Sequence, residues 1–190
     1  ITKSLNDEQL KTLLALHAEL VRREKRALAT PEEARRAHTA LRRGMREIDN
    51  YRPDLETLAS ELVASIGHVS MGARAHREVA MMAQRFGLEI VHVGDLPRSA
   101  RSVTDLANGR IYLPPASIPG GHGLRSLALQ GIAHQVLRHR VPETYEEFLQ
   151  QRLDINYFAA ACLMPEAQAL DFLSQSKREK NLAVEDFRDA

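Results

Sequence analysis

His134 lies in the apolar stretch Leu127 to His139 (LALQGIAHQVLRH), one helical turn after Gln130 and three residues after Gly131. Two imidazoles spaced one turn apart leave the same face of a helix and can share one Zn²⁺. A Glu directly after the first can take the proton of a metal-bound water, which is the chemistry of H-E-x-x-H. Laid over this stretch, the first His falls on Gln130, the Glu on Gly131 and the second His on His134. Gln is a poor zinc ligand beside imidazole, and Gly has no side chain to serve as base. The pattern therefore keeps the outline of a zinc hydrolase without one ligand and without the base. It points to binding rather than hydrolysis, with no catalytic residue and no metal ligand assigned. A metallopeptidase using His134, His139 and Asp154 is the alternative, although His139 follows His134 by five residues and turns well off its face.

A second segment, Leu153 to Pro165 (LDINYFAAACLMP), closely resembles the E-A-N-x-F-A-A-x-L-L-M-P segment of the ImmA/IrrE metallopeptidases. Asn156, Phe158, Ala159, Ala160, Leu163, Met164 and Pro165 fall on matching positions, and Asp154 falls on the Glu that supplies the third metal ligand there. Read from the residues alone, Asp154 is better suited to pair with an Arg. A strand hairpin ahead of the first helix also resembles that family, so the resemblance runs roughly from Ala73 to Ala169. It implies a zincin-like pseudo-metallopeptidase core, whose groove would be a long pocket without the metal. The order of elements further resembles the short-chain fatty-acyl regulators of the PrpR/RamB type. These place a helix-turn-helix domain before such a core and a Cys-bearing region after it. That resemblance implies an effector, CoA or a short acyl-CoA such as propionyl-CoA, tied to the methylcitrate and glyoxylate pathways, with no resident cofactor. It also implies DNA contact through a helix-turn-helix domain outside this chain, and a homodimer. A purely structural dimerisation module, pairing through its N-terminal helices, is the remaining alternative.

Coenzyme A carries several phosphate charges, an adenine and a flexible arm, and is suited by a few Arg, an aromatic platform and a narrow channel. Arg98, Arg101 and Arg110 flank the hairpin, while Arg42 and Arg43 lie on an earlier helix. Tyr112, Tyr157 and Phe158 are candidates to line or stack, and Gln130 and His134 to face the ligand from the old metal wall. Tyr157 and Phe158 are adjacent on a helix and point about 100 degrees apart, so one of them belongs to the core.

The 190 residues suffice for one domain with a sizeable core. A net charge of +1 gives no global basic field for nucleic acid. Within the cations Arg outnumbers Lys, which favours bidentate contacts to phosphate and carboxylate. One cysteine, Cys162, excludes an internal disulfide and sits in an apolar helix, where a buried thiol is expected. With no apolar run of about 18 residues and no signal peptide, a cytoplasmic protein is expected. The chain starts at Ile1 and ends in NLAVEDFRDA, a helix begun but not finished, which reads as an excised domain.

The elements that must position these residues follow from spacing. Leu10, Leu13, Leu14, His17, Leu20 and Val21 recur at helical intervals after the cap candidates Asn6 and Asp7. Thr30-Pro31-Glu32-Glu33 is a capping box with Pro at the first helical position, opening a helix to about Asn50. Pro53 opens a third helix, and a fourth runs from about Ala73 to Phe86 with Gly87 ending it. Leu88–Val93, Ser99–Leu106 and Arg110–Leu113 read as strands. Asn108-Gly109 reads as a two-residue hairpin turn, and Pro114-Pro115 as a stop. A Pro/Gly loop with His122 at its end leads to paired helices at about 124–138 and 144–163. Pro165 starts a short helix to about Leu173, followed by a polar linker, SQSKREKN. The class is α+β: an N-terminal helical region (1–70), an ImmA/IrrE-like core with a small hairpin-bearing sheet (71–175), and a linker leading to a further region (176–190).

Overall fold

The computed structural model describes residues 6–67, 76–94, 96, 101–115 and 123–179. Arg98, His122 and the closing segment NLAVEDFRDA lie outside them. The fold is α+β, mostly helical with one three-stranded sheet. In chain order the elements are α1 (Asp7–Ala27), α2 (Pro31–Glu47), α3 (Pro53–Ser65), α4 (His76–Arg85), β1 (Glu89–His92), β2 (Val103–Asp105), β3 (Arg110–Leu113), α5 (Leu124–Val136), α6 (Tyr145–Leu163) and α7 (Glu166–Glu179).

Caps fix the helices that matter for the site. The Thr30 side chain accepts from the Glu33 N–H, and the Glu33 carboxylate accepts in return from the Thr30 N–H at 2.7 Å, so both orphan donors at the start of α2 are satisfied. Thr144 and Glu147 repeat the device at the start of α6. The second helix stops at Glu47 rather than near Asn50, because Asp49 and Asn50 turn into left-handed backbone at φ 53° and 57°. The last helix runs through most of the segment read as a linker: it continues past Leu173 to Glu179, with Ser176 buried.

The strand order is β1-β3-β2, with β1 parallel and β2 antiparallel to β3. The expected hairpin forms, but its turn is wider than Asn108-Gly109 suggests. Asp105 pairs with Arg110, leaving residues 106–109 as the loop. The Asp105 carboxylate accepts from the Asn108 N–H and Nδ2, at 3.1 and 2.7 Å, and Gly109 takes φ 66°. Pairing thereby ends at Asp105, where its side chain turns to the loop.

Alternation along β3 divides the core. Ile111 and Leu113 face the main cluster, which joins Ala59, Leu62 and Val63 of α3, Val79 and Met82 of α4, Leu129 and Ile132 of α5, and Phe158 and Cys162 of α6. Tyr112 faces the other way, into a smaller cluster with Val103 and with Leu14 of α1. The third helix therefore shares its core with the sheet and the later helices. The sixth helix, α6, packs against α2, α3 and α5.

Candidate functional site

Gly131, which falls on the Glu of the H-E-x-x-H pattern, is buried where α5 meets the sheet. A Cβ there would lie 2.9 Å from Ile111 Cδ1 and 3.0 Å from Thr104 Oγ1. The sheet thus occupies the space a catalytic side chain would need. Gln130, which falls on the first His of that pattern, is half-buried, and its Nε2 donates to Ser126 Oγ at 3.3 Å. His134 is half-buried and meets His139 edge to face, ring centroids 5.7 Å apart. Burial pushes the His139 imidazole below its ordinary pKa against the opposing field of Asp154, and its Nδ1 is buried without a hydrogen-bond partner.

Asp154 accepts from Arg52 Nη1 at 2.6 Å and from Gln150 Nε2 at 2.8 Å. The pairing with Arg that its residue type suggests is the one that forms. Arg52 also binds Asp54 through Nε (3.0 Å) and Nη2 (2.8 Å), and these bonds, with those to Asp154, raise its pKa further. The side chains of Arg52 and Asp154 are only 20% and 16% exposed, so this ion pair is screened less than a surface pair. No three His, Cys, Asp or Glu among the described residues are grouped to hold a metal ion.

The same corner binds the hydroxyl of Tyr157, which accepts from the Arg52 N–H at 3.1 Å and donates to Glu56 Oε1 at 3.0 Å. Tyr51 donates to Glu166 Oε2 at 2.7 Å, and that bond pushes its phenol up to about 12. Residues 51 and 52 thereby tie the start of α3 to both α6 and α7.

Nine of the ten residues read as ligand contacts are described, and these nine do not converge. Phe158 is fully buried in the main core and cannot line a groove; its neighbour Tyr157 takes the outward place. Tyr112 is buried in the smaller cluster with Leu14, on the sheet face opposite α5, so it lines no groove either. Arg110 lies 3.6 Å from Glu89; the Tyr112 phenol does most to raise its pKa, yet their geometry falls short of a hydrogen bond. Arg101 is exposed beside β2. Arg42 and Arg43 are exposed on α2, where Arg42 Nε donates to the His38 carbonyl at 3.3 Å and Arg43 borders a hollow with Arg35 and Arg36. Gln130 and His134 share a face of α5, one turn apart.

One groove is not suggested by the residue types. It lies between α2 and α6, has a volume of about 650 Å³, and is lined by His38, Leu41, Tyr145, Phe148, Arg152 and Tyr157 among others. His38 meets Tyr145 edge to face at 5.9 Å, with 3.2 Å between His38 Nε2 and the Tyr145 hydroxyl. Tyr145 and Phe148 are 5.7 Å apart, and the Arg152 guanidinium lies 5.9 Å from the Phe148 ring centre. A signal for this face was present: the Thr144 to Glu147 box fixes the helix start, and Tyr145, Phe148, Arg152 and Asn156 then recur on one side. A smaller cavity of about 290 Å³ lies at α4, β1 and α5, with His76, Arg77, His92 and Arg125 around Ile90 and Leu124.

No helix among the described residues is long and apolar enough to cross a membrane. No family model and no curated protein matches the chain. Among solved structures, a Mycobacterium tuberculosis transcriptional regulator is similar over 72% of this chain at 21% identity, with a TM-score of 0.48. The chain covers 42% of that protein's length.

Proposed function

We propose that this chain is the effector-binding domain of a transcriptional regulator, holding CoA or a short acyl-CoA such as propionyl-CoA without acting on it. The observation that carries this reading is the α2–α6 groove, where aromatic rings and a guanidinium line one concave surface. Its volume, about 650 Å³, lies within the range of small-molecule sites. Tyr145 and Phe148 offer planar faces for an adenine, while Arg152 and the nearby Arg42 offer charge for phosphate. The identity of the effector, and the control of propionate and glyoxylate enzymes through a separate helix-turn-helix domain, rest on the motif resemblance. The lost base supports a role without hydrolysis, since the sheet fills its place at Gly131.

Isothermal titration with CoA and propionyl-CoA tests the reading. Arg152→Ala and Tyr145→Ala should each weaken binding about tenfold, in line with the loss of one charge-assisted or stacking contact. The melting temperature without ligand should stay near that of the parent. With ligand at 100 times Kd the parent should gain about 2.7 kcal/mol of stability. No binding, or affinity untouched by both substitutions, rejects the groove as the effector site. A stoichiometric zinc ion together with peptide cleavage would restore the peptidase alternative.

A further inference from the structure

We infer that the cavity between α4, β1 and α5 is a second ligand site, suited to a small carboxylic acid with a short apolar body. Its volume of about 290 Å³ is at the lower end for small-molecule sites, room for a small acid and not for a nucleotide. Its floor belongs to the main core: Val79, Leu113, Leu124 and Ala128 are each 3% exposed or less. Ile90, half-buried, forms a further apolar wall. Around that floor stand four nitrogen-bearing side chains: His76 and Arg77 of α4, His92 of β1 and the half-buried Arg125 of α5.

Charge names the kind of ligand. No carboxylate is among the described residues that line the cavity. The three elements carry two acidic residues between them, Glu78 and Glu89, and α5 carries none. Glu78 lies about 100° or more around α4 from His76, Arg77 and Val79, opposite the arc they form. Glu89 alternates with Ile90 and His92, so it turns to the other face of the sheet, where it lies 3.6 Å from Arg110. A cationic rim over an apolar floor is complementary to a molecule that is anionic at one end and apolar at the other, and the guanidinium fork matches a carboxylate. The His92 ring is already oriented. Its Nδ1 lies 2.9 Å from the Pro114 carbonyl oxygen, which can only accept, so Nδ1 donates and Nε2 is the nitrogen left to meet a ligand.

This cavity is neither the α2–α6 groove nor the side of α5 that carries the zinc-motif positions. Arg125 and Ala128 lie about 120° or more around α5 from Gln130 and His134. The inference therefore stands whether or not the α2–α6 groove takes CoA.

Titration of the nitrogen-15-labelled chain with sodium hexanoate, followed by amide chemical shifts, tests the site. The amides of Arg77, Ile90, His92 and Arg125 should move together and saturate. Hexanol, which lacks the charge, should leave them in place. Acetate, which lacks the apolar body, should bind about tenfold more weakly or worse. Arg125→Gln should weaken hexanoate about tenfold with an unchanged far-ultraviolet circular dichroism spectrum. Ala80→Leu, which extends a side chain from the cavity wall, should weaken it as much without altering charge. Absence of saturable shifts at these residues, equal affinity for acetate and hexanoate, or an affinity indifferent to both substitutions overturns the inference. Should Arg125→Gln lose its helical spectrum, Arg77→Gln changes an exposed cation at the rim instead, and an unchanged affinity there is equally adverse. Coenzyme A should leave bound hexanoate in place; displacement would merge this cavity with the effector site and overturn a separate one.

Discussion

Two faces of α6 have been put to different use. On one, Asp154 is held in a three-way contact with Arg52 and Gln150, close enough for its field to reach the half-buried His139. On the other, Tyr145, Phe148 and Arg152 border an open groove against α2. The first face carries Asp154, the α6 residue that falls on a metal-ligand position of the motif, and its polar groups are largely spent on the protein itself. The second carries no recognisable motif and keeps its rings and its guanidinium at the surface. A motif match alone does not show where a ligand can bind; free valence toward a ligand is a separate property that packing decides.

The contrast is sharpest at Gly131. Gly131→Glu should cost about 3 kcal/mol or more, because it both overpacks the contact with Ile111 and Thr104 and buries a carboxylate there. Urea denaturation measures the loss, and a stable variant would mean that the contact between α5 and the sheet still has room for a side chain. Arg52→Ala comes next, at about 2 kcal/mol, since it strips a mostly buried carboxylate of its cation. Adding Asp154→Asn to that variant should recover part of the loss; a double variant no better than the single would show that Asp154 does not depend on the pair. Thr144→Ala removes the cap at the groove end of α6 and should cost about 1 kcal/mol, seen as a lower denaturation midpoint. The smallest effect concerns His139. Its pKa is lowered in the folded chain from the ordinary 6.5, so the unfolded chain takes up a proton more readily. This group's contribution to stability is level above that value and declines as pH falls through the window below it. His139→Gln should flatten that part of the slope between pH 7.5 and 5.5, and an unchanged slope would assign the dependence to other groups.

Local elements were legible wherever a cap or a period specified them. Thr30-Pro31-Glu32-Glu33 and Thr144 announce their helices, and the pairing of Asp154 with a cation follows from its residue type. Placement of side chains across elements was not legible. Tyr112 looks like a ligand-facing aromatic, but the strand's alternation turns it toward α1. Phe158 has an aromatic ring like its neighbour, but the helix angle sends it into the core. The identity of the cation that meets Asp154 required the fold, because Arg52 lies 102 residues away. The reach of the last helix to Glu179 was hidden by its polar composition, which a helix with a half-exposed face tolerates.

The Tyr157 hydroxyl belongs to both halves of this comparison. Its ring borders the groove, while its oxygen is shared by the Arg52 amide and the Glu56 carboxylate. A molecule in the groove that draws on that oxygen competes with α3 for it. Occupancy and the seating of α3 on α6 would then be reciprocal variables in one equilibrium. A change at Glu56, outside the groove lining, would be felt as a change in affinity, and a filled groove as a loosened or tightened α3.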